Sequence, residues 1–224
     1  MQTSILQALA LTVVGNAALS GRDVSDFWLE ETLFRYSKVC DFHVIQSDGD
    51  RLIASDPMVW FATSQGECSG LRLHNAPRPL LPGQSIPIEA RMLVGFVGGG
   101  PAWLIEAVRP GRSQLWQGYD RLGDRSDPQR KIWLHTYLMQ SETASQDFSA
   151  TPLRQTAQTL APILTEIEAL AKKIEASHFA KEFRRAARTL DGKDDAALPP
   201  YADFTRFANF DLERLRLLQA LLSA

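Results

Sequence analysis

Cysteine is scarce in this chain: Cys40 and Cys68 are the only two among 224 residues. Two thiols exclude a disulfide scaffold and suit a reducing compartment, so a cytoplasmic protein of bacterial type is expected. Surplus charge is also missing. With 24 Lys and Arg against 26 Asp and Glu, the formal net charge is −2, too weak a field to recruit nucleic acid or an anionic membrane. No apolar run reaches the ~20 residues that a bilayer span requires. The nearest, Ile5 to Leu19, ends in small residues as a secretory leader does, yet the first basic residue is Arg22, where a leader wants a positive start. Ser4-Ile5-Leu6-Gln7 has the spacing of a capping box, which predicts a buried helix starting near Ser4. Repeats of fixed period and extended low-complexity tracts are absent as well.

What the chain does have is ordinary core-forming capacity, with 45% hydrophobic and 22% charged residues, far from a disordered composition. A second helix is expected after Ser25, with Leu29, Leu33 and Tyr36 on its apolar side. Phe42 to Gln46 and Arg51 to Ala54 flank Asp48-Gly49, a hairpin signal. Met58 to Thr63, after Pro57, fits either a strand or a short helix. Pro77, Pro79, Pro82 and Pro87 deny amide donors to any ladder, so the chain makes an irregular excursion there. Arg91 to Val97, Trp103 to Val108, Ser113 to Leu122 and Lys131 to Met139 then read as a four-strand antiparallel meander punctuated by Gly98 to Pro101, Pro110-Gly111 and Gly123 to Gln129. In the last strand Ile132, Leu134 and Leu138 alternate with Trp133, His135, Tyr137 and Met139, so both faces look apolar and both need cover.

Ser141 to Thr151 is polar and aperiodic, which predicts a boundary between an α+β domain, residues 1–142, and a helical hairpin or bundle, residues 151–224. All five tryptophans precede it. Past Thr151-Pro152, a cap with proline at the first helical position, Leu153, Ala157, Leu160, Leu164, Ile167, Ala171 and Ile174 form a narrow seam of alternating fours and threes. Such a seam within one chain predicts an antiparallel helix pair. Ser177 opens or continues a helix bearing Phe179, Phe183, Ala187 and Leu190, Gly192 stops it, and Phe204 to Leu222 predicts a last amphipathic helix.

Three chemical leads stand beside bland alternatives. His135, between Trp133 and Tyr137 on one strand face, suits acid–base work if Glu106 or Asp120 orients its ring, and Trp116, Trp133 and Tyr137 would then line a ligand pocket on the sheet. The alternative is a hydrogen-bonded core histidine. Gly66-Glu67-Cys68-Ser69-Gly70 has the spacing of a nucleophile elbow, with His74 as the base for a Cys68 hydrolase, but no helix follows it as that turn requires. Cys40, His43, Cys68 and His74 are zinc-ligand types whose second pair is spaced too widely, so no metal and no cofactor is expected. The basic run Lys181 to Arg188 reads as the wet side of an amphipathic helix.

The order of two helices, a hairpin and a long meander resembles the curved-sheet folds of the NTF2-like or cystatin-like type. That resemblance implies an α+β fold with N-terminal helices packed on an antiparallel sheet, and it carries no function, since such folds host enzymes, binding modules and dimer interfaces alike. The functional expectation is a non-catalytic interaction or self-association module, a homodimer formed through the C-terminal helices or a sheet face. The alternatives are an enzyme or small-molecule binder at His135, then the Cys68 hydrolase. Neither a membrane nor nucleic acid is an expected partner.

Overall fold

Small side chains decide how the first helix sits. A computed structural model describes residues 3–28, 31–46, 49–76, 102–143, 153–193 and 200–208. In it helix α1 (Thr3–Leu19) buries Leu6, Ala8, Ala10, Leu11, Val14, Ala17 and Ala18, so it is apolar almost all round, as an interior helix is. Midway, a Cβ on Gly15 would overlap Leu71 Cδ1 and stand 2.9 Å from Phe61 Cε1. Glycine there costs the helix about 1 kcal/mol relative to alanine, and it lets the helix backbone approach those two side chains. Gly21, at φ 80°, closes the helix. Its N–H donates to Ala18 O and that of Arg22 to Ala17 O, at 2.9 and 3.0 Å, the paired bonds of a Schellman cap.

Strands β1 (Ser37–Gln46), β2 (Gly49–Ala54), β3 (Gly70–Ala76), β4 (Ala102–Arg109), β5 (Arg112–Leu122) and β6 (Trp133–Thr143) form one sheet in the order β2-β1-β6-β5-β4-β3. The sheet is mixed, which corrects the wholly antiparallel expectation: β1 runs parallel to β6, with Cys40 opposite His135 and Phe42 opposite Tyr137. The chain leaves β2 for the far edge at β3 and works back through β4 and β5, so β6 arrives beside β1 in the same direction. The β4-β5-β6 part is the expected meander, turned first at Gly111 with φ 73°. Its expected opening strand, Arg91 to Val97, and the stretch Pro77 to Pro87 lie outside the described residues.

Of the helix expected after Ser25, the described residues show only a 3-10 turn, Thr32–Phe34. Phe27 and Phe34, both fully buried, meet edge to face at 5.6 Å. Residues seven apart on a helix stand about 10 Å apart along its axis, so this contact requires the chain to fold back. The undecided stretch after Pro57 is helix α2 (Pro57–Ser64), started by Asp56, whose carboxylate accepts the Val59 N–H at 2.9 Å.

Both helices lie over the sheet face that carries Leu71, Ile105, Phe42 and Tyr137. Phe42 stacks on Trp60 of α2 at 4.3 Å and on Tyr137 at 5.1 Å, and Trp116 meets Phe42 and Trp60 edge-on. Gly118, opposite Tyr137 in register, leaves room for that ring, because a Cβ would sit 2.9 Å from it. On the reverse face Leu104, Leu134 and Leu138 are half-buried and Tyr119 is exposed.

Residues Gln2–Gln146 form one compact unit and Asp147–Ala224 a second. The second contains helices α3 (Leu153–Lys173), which runs through Pro162, and α4 (Ser177–Leu190), and a 3-10 segment, Pro200–Phe207. Leu164 and Ala186 are its buried centre, with Leu160, Phe183, Ala187 and Leu190 packed around them. The expected capping pair Thr151-Pro152, and the last amphipathic helix beyond Ala208, lie outside the described residues.

Candidate functional site

His135 is the best-connected ionisable side chain of the first unit. Its Nδ1 lies 2.7 Å from Asp120 Oδ1 on β5, and its Nε2 lies 2.7 Å from Ser37 Oγ on β1 and 3.3 Å from Gln7 Nε2 on α1. Gln7 Nε2 also donates to Leu33 O, which fixes the amide's nitrogen toward the ring. With the amide so placed, Nε2 accepts from Gln7 and from the Ser37 hydroxyl, and Nδ1 donates to Asp120. Phe34 closes one side edge-on at 6.1 Å.

Serine, histidine and aspartate in that atom order are the parts of an acyl-transfer triad. Access decides against that use. Ser37 is 1% exposed, and its histidine partner is also bound by the helix amide, so no carbonyl carbon can reach Oγ. The cluster instead joins α1, β1, β5 and β6 through one imidazole, a polar contact in which every group has a partner.

Glu106 does not meet His135. It lies on the reverse face of β4, buried, with Oε2 2.6 Å from His74 Nε2 and 3.9 Å from Arg72 Nη1 on β3. The His74 imidazole of the Cys68 lead is thus oriented by a carboxylate, and Cys68 sits in the turn before β3. Cys40 is fully buried, and burial pushes its thiol well up from the ordinary value, reinforced by the charges of Asp41, Asp120 and Asp56. Burial likewise raises the Tyr137 phenol well above its ordinary range. His43 pairs with Asp41 at 3.2 Å. No group of three or more His, Cys, Asp or Glu able to hold a metal occurs among the described residues.

A half-open cleft of 320 Å³ lies where α2 ends over the sheet. Trp60 and Trp116 supply aromatic wall, Met139 an aliphatic one, and Arg51, Arg109 and Gln114 polar groups. Trp116 is 2% exposed. Its indole Nε1 and Arg109 Nε are buried and have no hydrogen-bond partner. Arg109 Nη1 reaches Glu67 at 3.0 Å, while Glu142 accepts from Gln114 Nε2 at 2.8 Å and from Arg112 Nη1 at 3.2 Å.

No protein-family model, no curated protein and no solved structure matches this chain. Function must therefore be read from its own side chains.

Of the residues singled out from sequence, the cleft takes Trp116, while His135, Trp133 and Tyr137 are not among its lining residues. Trp133 and Tyr137 are separated by burial, the first exposed at the strand end and the second inside. Ser37 and Gln7 were not legible as partners of His135, because local pattern cannot say which strand or helix lies next to β6. Arg51, Arg109 and Gln114 carry no motif; only the register of β2, β4 and β5 gathers them.

Among the described residues no helix is long and apolar enough to cross a membrane. The second unit bears a different feature. Leu170 on α3 and Ile174, just past its end, are 57% and 65% exposed, and Ile163 and Ile167 of α3 are also exposed; Phe179 of α4 is 57% exposed. Ile163, Ile167, Leu170 and Ile174 are spaced four, three and four apart, the period of a helix-pairing stripe. They flank the Leu160, Leu164 and Ala171 side that packs inward.

Proposed function

We propose that this chain works by association rather than by catalysis, with the α3–α4 hairpin joining a second copy of itself. The exposed stripe on α3 is the observation that carries this reading. Each large aliphatic side chain moved from water into a packed interface contributes about 1.5–3 kcal/mol, so four on one stripe, doubled by a two-fold axis, supply a substantial driving force for association. Periodicity supports the reading further, since a 4-3-4 stripe presents a straight ridge that another helix can follow over its full length.

Sedimentation equilibrium on the full chain tests the proposal. The wild type is expected to associate with rising concentration, and Ile167→Glu/Ile174→Glu to remain a monomer with unchanged helical content. A wild-type chain that is strictly monomeric at high concentration would sink it.

A further inference from the structure

We infer that the second copy lies antiparallel to the first along α3, with Glu166 of each copy facing the partner's Lys173. The inference rests on the association proposed above and adds the partner's direction to it.

The stripe supplies the first half of the argument. Ile163, Ile167, Leu170 and Ile174 all lie past Pro162, so a bend at that proline leaves them together on one straight segment. Ile174 N–H still donates to Leu170 O at 3.1 Å, which keeps the last of them in helical phase. Spacings of four, three and four read the same in either direction, so the ridge mates with a copy of itself whichever way that copy runs. Apolar pattern alone leaves the direction open, and charge chooses it.

Glu166 and Lys173 each stand one position before a stripe residue, Ile167 and Ile174, and are seven residues apart. They therefore border the stripe along one edge, about 10 Å apart along the axis. The opposite edge holds Leu164 and Ala171, both buried. Glu166 and Lys173 are exposed, and neither has an ion pair among the described residues. Glu168, by contrast, takes Lys172 of its own helix and Arg184 of α4. In a parallel helix pair each edge meets the opposite edge of its neighbour, which would set Glu166 and Lys173 against apolar side chains already packed inside the partner's own hairpin. In an antiparallel pair like edges meet. Layers of Ile163 with the partner's Ile174, and of Ile167 with the partner's Leu170, then bring Glu166 against the partner's Lys173. The two-fold axis makes that contact twice, with opposite charges both times.

Sedimentation equilibrium on two charge-reversed full-length chains, Glu166→Lys and Lys173→Glu, alone and mixed, tests the inference. Alone, each variant puts like charges into both contacts and is expected to self-associate about tenfold more weakly than the wild type. Mixed in equal amounts, the two are expected to form a heterodimer of about wild-type strength, because each contact is then lysine against glutamate. Both positions are exposed, and circular dichroism should show unchanged helical content. A mixture that associates no more tightly than its separate components, beside a wild type that does associate, overturns the antiparallel arrangement and leaves association standing. A wild type that is strictly monomeric overturns both.

Discussion

The two units of this chain solve the problem of apolar surface in opposite ways. The first spends its large side chains inward: Phe27, Phe34, Phe42, Trp60 and Ile105 are all essentially fully buried, and an interior helix of small residues lets the sheet close against it. Among its described residues the second has helices α3 and α4 and a 3-10 segment, buried side chains that include Leu164, Ala186 and Phe204, and a row of isoleucine and leucine side chains left in water. A sheet with helices across it can enclose a core within one chain, whereas a helix pair has only one mutual face, and a further apolar stripe stays wet unless another element covers it. The enclosed aromatic core of one unit and the periodic exposed stripe of the other are therefore the contrast to test.

The largest effect should come from the aromatic stack of the first unit. Phe42→Ala removes a ring that touches Trp60, Trp116 and Tyr137, and is expected to cost about 3–5 kcal/mol, measured by urea unfolding followed through tryptophan fluorescence. That loss should be independent of protein concentration, and a concentration-dependent loss would erase the contrast. Next comes the polar tie. His135→Ala strands Ser37 and Gln7 without their shared acceptor and should cost about 2–4 kcal/mol, while Ser37→Ala, which leaves the imidazole bound to Gln7 and Asp120, should cost only about 1 kcal/mol. Equal costs for the two variants would show that the imidazole is not the common partner.

Smaller effects belong to the hairpin. Its first helix ends in the same paired bonds as α1: Ala176 N–H donates to Ala171 O at 2.8 Å and Glu175 N–H to Lys172 O at 3.1 Å, but the left-handed position is Glu175 at φ 60° rather than a glycine. At the end of α4 the equivalent position is Gly192 at φ 70°. Glu175→Gly should thus stabilise the hairpin by about 1 kcal/mol and Gly192→Ala destabilise it by a similar amount, read from thermal unfolding at fixed concentration.

The smallest effect is electrostatic. A hydrogen bond from Lys172 and another from Arg184 hold the Glu168 carboxyl below its ordinary value of 4.5. A depressed folded-state pKa contributes stability that is present above 4.5 and lost as pH falls through the lower folded value. Glu168→Gln should therefore lower the hairpin's melting temperature slightly at neutral pH and leave it unchanged in strong acid. An equal deficit at both pH values would assign the loss to packing instead.

Turn chemistry was legible in the sequence because it is local. Gly49, Gly111 and Gly192 stand at positive φ where the reading expected turns or a helix stop, and the bounds of β4, β5 and α4 follow from runs that those glycines delimit. Pairing was not legible. Nothing in Ser37 to Gln46 indicates β6 as its neighbour, so the parallel ladder between them, and with it the link between Ser37 and His135, had no local signature. Nor did Glu175 announce a helix end, since the residue that usually marks that conformation is absent. The cleft was half legible: aromatic density pointed to Trp116, but the charged residues that line it, Arg51, Arg109, Glu67 and Glu142, come from parts of the chain whose neighbours only the fold reveals.

The parallel ladder also has a consequence in time. Ser37 and His135 are 98 positions apart, so a ribosome that has released β1 must add roughly a hundred residues before its partner strand exists, about five to twenty seconds at ordinary translation speeds. For most of that interval Phe42 and Trp60 have been made while Trp116 and Tyr137, which cover them, have not. The nascent chain is then at its stickiest, and cotranslational chaperone contact should concentrate on that early stretch.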